Sequence, residues 1–349
     1  MKKKLILMLR ISLLAIGIGS LAFVPWTFIL AWLSPLPDTV QQQVEKVFDY
    51  ELDGIIVYVD RPDAKPQLFT AGWKNRENKT PADPNALFKI ASISKLYIAV
   101  AATKLIAEER LSLDTTLASF FPEYAVRIEN SNAITLQMMI GHTSGLTNYT
   151  DHPDYPWSDL YKHTDEVVQL ILDQPAYFSP GSDYGYSNTN YYFLGRILDN
   201  TLGYSHHRYI REQIVEPLGL LDTYSLLNEV NPDDVTSGYF VGFEPDLKMN
   251  NHVHAGGSMI ATASDVGVFI RALNNGALLS EKEQAIYNSL YPLGHTGSLP
   301  GYSSQAWYHP NIDTVVVQLV NTGGGMTWSF TELMYSRIVD IITEQAANQ

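Results

Sequence analysis

The stretch LFKIASISKLYIAVAATKLI, residues 87–106, is apolar at most of its positions but carries Ser92, Ser94 and Lys95 near its start. Its length and apolar content predict the entrance and body of a buried helix. Residues three apart share a helix face, so the Ser92 hydroxyl and the Lys95 amine are expected to be in contact, with Ser94 pointing elsewhere. A buried amine with a lowered pKa can take the proton of a serine hydroxyl, which would make Ser92 a nucleophile. The alternative is that Ser92 caps a turn and that Lys95 extends to solvent.

Two further short motifs follow in order along the chain. Residues 186–188 read Tyr-Ser-Asn, and residues 295–297 read His-Thr-Gly just ahead of a predicted strand. The ordered set of Ser-x-x-Lys, Tyr-Ser-Asn and cation-Thr-Gly resembles the motifs of serine β-lactamases and penicillin-binding proteins. Within that family it resembles the branch of class C β-lactamases, DD-carboxypeptidases and related esterases and aminopeptidases. Residues 138–146 (MMIGHTSGL) and 255–269 (AGGSMIATASDVGVF) also resemble this family, over roughly residues 40–345 in all.

The resemblance implies a set of catalytic residues. Ser92 would be the nucleophile and would form an acyl-enzyme, while Lys95 would orient its hydroxyl and share its proton. Tyr186, as a phenolate or through a hydrogen bond with Lys95, would be the general base and then the acid towards the leaving group. The backbone N–H groups of Ser92 and Ser298 would form the oxyanion hole, where each donor typically contributes about 10²–10³ in rate.

The resemblance also implies substrate-binding residues. Asn188 would donate a hydrogen bond to the amide on the acyl side of the substrate. His295 and Thr296 would lie on an edge strand and bind the substrate carboxylate, and Gly297 would leave room for the substrate backbone. Many relatives carry lysine where this chain has His295, and a histidine with an ordinary pKa is mostly neutral at pH 7.

The periodicity of the chain predicts strands at both ends and helices between them. Alternating or β-branched runs predict strands, and the clearest are residues 51–60, 67–75, 303–310 and 313–321. Residues 262–276 predict a helix capped by Thr262 or Ser264 and ended by Gly276, and residues 326–344 predict an amphipathic final helix. The fold class is therefore α+β: an antiparallel sheet built from N- and C-terminal strands and flanked by helices, with an inserted, mainly helical lobe.

The expected organisation of the chain is an N-terminal segment followed by one domain of two lobes. Residues 1–37 form an N-terminal anchor or signal segment, and residues 38–349 form one β-lactamase-like serine hydrolase domain. Within that domain, residues 38–107 and 256–349 form the sheet lobe, and residues 108–255 form the helical lobe. A cleft is expected where the two lobes meet.

The N-terminus predicts a membrane segment. Three lysines and Arg10 precede residues 11–33, which contain no charged residue. A run of 23 residues is longer than the apolar core of a typical signal peptide and close to the length that spans a bilayer. We therefore expect a single membrane pass through residues 5–33, with the catalytic domain on the periplasmic or extracellular side. A cleaved signal peptide, followed by secretion, and a buried core helix are the alternatives.

Composition excludes several other classes. Acidic residues outnumber basic ones, 37 against 23, so a nucleic-acid partner is not expected. The chain has no cysteine, which excludes disulfides and thiolate chemistry. His252 and His254 have the spacing of metal ligands but no evident third ligand, so no metal and no cofactor are expected. Residues 141–145 (GHTSG) do not match the Gly-x-Ser-x-Gly elbow of α/β-hydrolases, and His142 is interpreted as a structural residue.

These observations lead to a serine acyl hydrolase that takes a small peptide, ester or β-lactam. D-amino-acid peptides rank first as substrates, other amides and esters second, and efficient β-lactam hydrolysis third. A membrane-tethered penicillin-binding or sensor module with little turnover is the main alternative, and a cell-wall docking scaffold is another. The aromatic residues 149–161 could narrow or cover the site. The sequence leaves the oligomeric state open.

Overall fold

The computed structural model describes residue 10 and residues 12–13, 19–62, 64–157 and 164–348. Its strands are β1 (Gly54–Asp60), β2 (Gln67–Asn75), β3 (Thr80–Pro81), β4 (Phe88–Lys89), β5 (Thr223–Tyr224), β6 (Tyr239–Phe240), β7 (Ile260–Ala261), β8 (His295–Leu299), β9 (Tyr302–His309), β10 (Thr314–Val320) and β11 (Thr322–Gly323). Its α-helices are α1 (Trp26–Leu33), α2 (Val40–Val44), α3 (Ser94–Ala107), α4 (Leu117–Phe120), α5 (Leu136–Ile140), α6 (Asn188–Leu202), α7 (His206–Ile210), α8 (Ala263–Asn275), α9 (Glu281–Asn288) and α10 (Thr327–Ala347).

The main sheet joins the two ends of the chain. Its strand order is β3-β2-β1-β10-β9-β8, and every neighbouring pair is antiparallel. The register of the central pair places Ile55 opposite Val320 and Val59 opposite Val316. The predicted α+β fold, with an antiparallel sheet made from N- and C-terminal strands, is confirmed.

Helices cover both faces of this sheet, so its central strands are apolar on both sides. On β1, Ile55 and Val57 pack into one core with helices α2 and α10. Ile56 and Tyr58, which alternate with them, pack into the larger core with α3 and α8. Successive side chains of a strand point to opposite faces, so this double burial explains why β1 reads as a continuous apolar run.

Helices α8 and α10, the two helices predicted in the C-terminal part of the chain, largely follow their predicted bounds. Thr262 caps α8 by accepting a hydrogen bond from the Asp265 N–H at 3.2 Å, and Gly276 ends the helix with φ 79°. Thr262, rather than Ser264, is therefore the cap. Helix α10 begins at Thr327 and continues to Ala347, three residues beyond the predicted end.

The stretch at residues 87–106 is not helical throughout, which corrects our expectation. Its first residues form β4, which pairs with β7 through Phe88 and Ala261. A short 3₁₀ turn, Ala91–Ile93, then leads into α3. Periodicity could not separate these pieces because all of them are buried and equally apolar.

The N-terminal segment meets the domain near α1. Phe28 packs edge-to-face on Phe330 with ring centroids 5.5 Å apart. The Arg337 guanidinium donates to the Ser34 and Pro35 carbonyls at 2.9 and 2.7 Å. Among the described residues, no helix combines the length and the apolar content needed to cross a membrane. Much of the predicted span at residues 5–33 lies outside the described residues, so the span stays a prediction.

Candidate active site

Ser92 lies in the 3₁₀ turn that precedes α3, at the wall of a cavity of about 560 Å³. The residue before it, Ala91, has φ 53°, in the left-handed region that non-glycine residues seldom adopt. Ser94 stabilises this turn, because its hydroxyl donates to the Ala91 carbonyl at 2.6 Å and accepts from the Met259 N–H at 3.2 Å. Ser94 is thus a structural residue, and Ser92 faces the cavity.

Lys95 is buried, with 1% of its surface exposed. Its Nζ lies 3.1 Å from Ser92 Oγ, 2.9 Å from Asn188 Oδ1 and 2.8 Å from the Gly256 carbonyl oxygen. Burial lowers the pKa of the Lys95 amine to about 7. A neutral amine has two N–H donors and one lone pair. Because the amide and carbonyl oxygens only accept, they use both donors, and the lone pair remains for the Ser92 hydroxyl.

Tyr186 contacts the other side of the Ser92 hydroxyl. Its phenol donates to Ser92 Oγ at 2.8 Å. Burial raises the pKa of Tyr186 well above the ordinary value, more than the hydrogen bond to Ser92 lowers it. The phenol is therefore protonated at neutral pH, while Lys95 Nζ lies 5.0 Å from the ring centroid. Burial therefore disfavours the phenolate, which was one of the two forms expected for Tyr186.

His142 holds the Tyr186 ring in place. The two rings pack with centroids 4.5 Å apart. His142 Nδ1 lies 3.2 Å from the Ser187 backbone N–H and accepts from it. Burial, together with the charge of Lys95, lowers the pKa of His142 to about 3, so the imidazole is neutral. These contacts agree with the interpretation of His142 as a structural residue.

Asn188 is the first residue of α6 and ties three segments together. Its Oδ1 accepts from Lys95, and its Nδ2 donates to Thr150 Oγ1 at 3.2 Å. Its backbone N–H donates to Asn148 Oδ1 at 2.9 Å. Asn188 therefore both orients the Lys95 amine and lines the cavity, where its predicted contact with the substrate amide stays a prediction.

His295 is already hydrogen-bonded through both ring nitrogens. Nε2 lies 2.9 Å from the Tyr291 hydroxyl, and Nδ1 contacts the Thr296 carbonyl. The arrangement fits a neutral tautomer in which Nδ1–H donates to the carbonyl and the Tyr291 hydroxyl donates to Nε2. Burial, and then the charge of Lys95, lowers the pKa of His295 to about 4. Without a bound ligand, the His295 imidazole is therefore neutral at pH 7.

Gly297 is required by the packing of the protein itself. A Cβ at this position would lie 2.3 Å from Ser304 Oγ, 2.6 Å from the Ile90 carbonyl oxygen and 2.9 Å from Ala91 Cβ. All three atoms belong to the protein. The glycine lets β8 approach the segment that carries Ser92. The expected role of Gly297, to make room for the substrate backbone, stays a prediction.

The cavity brings most of the predicted site residues together. Ser92 and Tyr186 line it together with three predicted binding residues, Asn188, His295 and Thr296, and with Ser298 of the expected oxyanion hole. Lys95 touches Ser92 from behind the cavity wall. The aromatic residues Tyr155 and Trp157 line the same cavity, and residues 158–161 of the expected aromatic loop lie outside the described residues.

Sequence reasoning missed two groups that complete the site. The Gly256 carbonyl accepts from Lys95, and with φ 87° its backbone passes so close that a Cβ would lie 2.9 Å from Lys95 Cγ. The Gly-Gly pair at residues 256–257 was the available signal for a close backbone approach. Tyr291, which contacts His295, had no signal because a tyrosine four residues before the motif is equally consistent with packing.

The histidine pair of the cavity gives no support to a metal site. His252 and His254 both line the cavity, and burial lowers their pKa values to about 3 and about 4. In the part of the chain that the structure describes, no cluster of three or more histidine, aspartate or glutamate side chains could hold a metal ion.

Comparison with known proteins places this chain in a family. A model of the Beta-lactamase family matches residues 38–291. Protein flp of Staphylococcus aureus (strain N315) is 25% identical over 194 residues, which are 54% of this chain and 39% of that protein. The matched region thus spans about two fifths of the length of this curated relative.

Solved structures show the same fold. D-amino acid amidase from Ochrobactrum anthropi SV3, complexed with L-phenylalanine amide, superposes with a TM-score of 0.77 at 21% identity, covering 89% of this chain and 99% of that chain. The penicillin binding protein from Bacillus halodurans superposes with a TM-score of 0.71 at 20% identity, covering 85% and 98%. Together with the family match, which includes the segments of Ser92 and Tyr186, these findings show that the chain belongs to the Beta-lactamase family.

Proposed function

We propose that this protein is a serine hydrolase that forms an acyl-enzyme on Ser92 and acts on amides or esters of D-amino acids. The observation that carries the proposal is the position of Ser92 Oγ, 3.1 Å from Lys95 Nζ and 2.8 Å from the Tyr186 hydroxyl. One neighbour offers a lone pair and the other offers a proton. This is the arrangement that nucleophilic attack followed by departure of a leaving group requires.

The first half of the reaction builds the acyl-enzyme. Lys95 accepts the Ser92 proton as Oγ attacks the substrate carbonyl carbon. The backbone N–H groups of Ser92 and Ser298 receive the negative charge that develops on the carbonyl oxygen. Tyr186 then gives its proton to the departing amine or alcohol and recovers one from Lys95. In the second half, water attacks the ester carbon, and the acid leaves Ser92.

The neutral imidazole of His295 favours substrates whose leaving group carries no carboxylate. A DD-carboxypeptidase must recognise the terminal carboxylate of a peptide, and a cation normally supplies that contact. Here the imidazole is neutral and both ring nitrogens already have partners. Simple amides and esters need no such cation. The D-amino acid amidase from Ochrobactrum anthropi suggests the same substrate class, although its 21% identity to this chain supports the fold alone.

The proposal is tested with a fluorophosphonate and intact-mass spectrometry. We expect one adduct on the parent and none on Ser92→Ala, with circular dichroism showing that both chains are folded. A folded parent that acquires no adduct would refute the acyl-enzyme proposal. The alternative, a penicillin-binding or sensor module with little or no catalytic turnover, would then remain.

Substrate class is tested with D-alaninamide and an N-acyl-D-Ala-D-Ala peptide. We expect the amide to have the higher kcat/KM in the parent. In His295→Lys, the new cation should raise the relative kcat/KM of the carboxylate-bearing peptide. A parent that prefers the peptide would return the assignment to a DD-carboxypeptidase. Rapid release of hydrolysed β-lactam would instead identify a β-lactamase.

We also propose that the segment before residue 38 places the catalytic domain outside the cytoplasmic membrane. The uncharged run at residues 11–33, behind a basic cluster, supports this location. The test is fractionation of cells that produce the full chain, with added protease on intact spheroplasts. Membrane-bound protein that the protease digests supports the proposal, and protein protected inside the cell contradicts it.

A further inference from the structure

A second cavity adjoins the catalytic one. Its volume is about 600 Å³, and it lies between the residues that follow β6, the end of β8 and the start of α10. Its apolar walls are formed by Phe240, Val241, Phe243, Leu247 and Pro300. None of the described residues that line it carries a charge. We call this space the apolar chamber.

The apolar chamber shares part of its wall with the catalytic cavity. Trp157, Ser298, Leu299 and Trp328 line both spaces. Ser298 is also the residue whose N–H belongs to the proposed oxyanion hole. A group that occupies the chamber therefore lies beside the proposed oxyanion hole, close to the carbonyl carbon under attack.

The position of the chamber along β8 assigns it to the acyl side of the substrate. Strand β8 begins at His295, beside the proposed leaving-group site, and ends at Leu299, which faces the chamber. At about 3.3 Å per residue, the two ends are about 13 Å apart. With the oxyanion hole between them, the leaving group lies towards His295 and the acyl group lies towards Leu299.

Large apolar side chains stay partly exposed at this chamber. Phe240, Val241 and Phe243 have 37%, 54% and 39% of their surface exposed. Isolated apolar residues on a surface need no explanation, but a contiguous group that lines a cavity marks a ligand site. An uncharged, apolar wall of this kind binds hydrocarbon groups and excludes charged groups, because an unpaired charge would lose its hydration there.

The backbone around the chamber is held in place. The Lys89 amine donates to the Leu247 and Asn250 carbonyls at 3.0 and 2.7 Å. Strand β6 pairs with β11, which sets Phe240 against Gly324, where a Cβ would lie 2.9 Å from the ring. The chamber is therefore a preformed space, and a substrate need not open it.

We propose that the apolar chamber is an acyl-chain subsite, and that the proposed D-amino-acid substrates react faster when their acyl part, through the side chain or an N-acyl group, carries an extended hydrocarbon of about eight carbons or more. This inference rests on the proposed acyl-enzyme. Ser92 Oγ forms an ester with the long-chain acyl group as the alcohol or amine leaves with a proton. Water then breaks that ester and releases the carboxylic acid. The volume of the chamber greatly exceeds what an acetyl or alanyl group fills.

The test compares p-nitrophenyl acetate, butanoate and octanoate below their critical micelle concentrations, with the full chain. Each buried methylene strengthens binding about fourfold, so four added methylenes raise kcat/KM by up to about 200-fold. We expect a rise of about tenfold or more from butanoate to octanoate. A flat or falling series, on an enzyme that hydrolyses acetate, would overturn the chamber and leave the proposed function standing.

Two chamber variants and one control connect the preference to the chamber. Phe243→Asp and Val241→Asp place a carboxylate at the rim, and both sites are exposed enough for folding to tolerate the change. We expect the octanoate-to-acetate ratio of kcat/KM to fall at least fivefold in each. Leu221→Asp, at a position that is 83% exposed and lines neither cavity, should keep the parent ratio. An unchanged ratio in both chamber variants would refute the assignment.

A measurement on the parent alone guards against misfolded variants. Alkylboronic acids add to a nucleophilic serine, and octylboronic acid should inhibit at least tenfold more tightly than methylboronic acid. Equal inhibition by the two would count against the chamber. Absence of inhibition by both, with no hydrolysis of acetate, would instead refute the acyl-enzyme. If the preference for long-chain substrates appears only when lipid vesicles are present, the rim of the chamber contacts a membrane. That result would overturn the proposed acyl-chain subsite.

Discussion

Replacing Asn188 with aspartate tests whether Lys95 is the proton acceptor. The change puts a carboxylate where an amide oxygen now lies 2.9 Å from Lys95 Nζ. Two unit charges at this separation attract by about 6 kcal/mol at an effective dielectric constant of about 20, which corresponds to about four pKa units. The loss of carboxylate hydration opposes this attraction, so a net rise of about one to three units is expected. The pKa of Lys95 would then rise from about 7 to between about 8 and 10.

The assay is the pH dependence of kcat/KM on p-nitrophenyl acetate. In the parent, activity should rise with pH through about 7, because only the neutral Lys95 amine accepts the Ser92 proton. In Asn188→Asp, the rise should move to higher pH by about one to three units. The position of the rise is the readout, since Asn188 also lines the cavity and its loss lowers activity at every pH.

Asn188→Leu is the matched control. Leucine has a similar size but no charge, so it cannot stabilise the ammonium form of Lys95. Its pH profile should be lower in height without moving to higher pH. If the profile of Asn188→Asp keeps the parent midpoint within about 0.3 pH units, Lys95 is not the group that titrates, and the proposed proton path is wrong.

Three further predictions concern the same site. Lys95→Met should abolish hydrolysis yet raise the unfolding free energy at pH 7 by about 2–4 kcal/mol. Burial lowers the pKa of Lys95 from 10.5 to about 7. Between these two pH values the unfolded chain binds more protons than the folded one, so the stability of the parent rises with pH. The extra unfolding free energy of Lys95→Met, measured by urea titration, should therefore shrink towards pH 10. Tyr186→Phe should lower kcat about 10²–10⁴-fold with an unchanged melting temperature, whereas a loss below tenfold would remove the phenol from the proton path. Gly297→Ala should destabilise the fold by about 1–3 kcal/mol, because the new Cβ would lie 2.6 Å from the Ile90 carbonyl oxygen. Gly257→Ala is the control: its Cβ would meet no atom within 4 Å, so the stability should not change.

Local spacing predicted the contact between Ser92 and Lys95, and the resemblance to a known family supplied the site residues from more distant segments. Ser92 and Lys95 are three residues apart, and one turn is enough to bring them into contact. The sheet was also predictable, because β1 and β10 are β-branched runs that only a strand buried on both faces explains. Both inferences need knowledge of the residue types and of short-range geometry alone.

The parts that could not be predicted depend on contacts between distant segments. The second acceptor for Lys95 is the Gly256 carbonyl, a backbone atom 161 residues away that any amino acid would supply. The lowered pKa of His295 follows from burial and from the charge of Lys95, and neither is visible in the His-Thr-Gly motif. The reason for Gly297 is likewise a contact, with Ile90 and Ala91, that only the folded chain reveals.

Lys95 joins the stability of this fold to its proposed chemistry. An ammonium group in water has a pKa near 10.4, which leaves a negligible neutral fraction at pH 7. The fold lowers the pKa of Lys95 to about 7 by burial, and two acceptors fix the direction of its lone pair. The same burial that supplies the base therefore costs folding free energy at neutral pH. If Lys95 were only a structural residue, a methionine or leucine would fill the space at lower cost, so the retained amine is itself an argument that the site carries out chemistry.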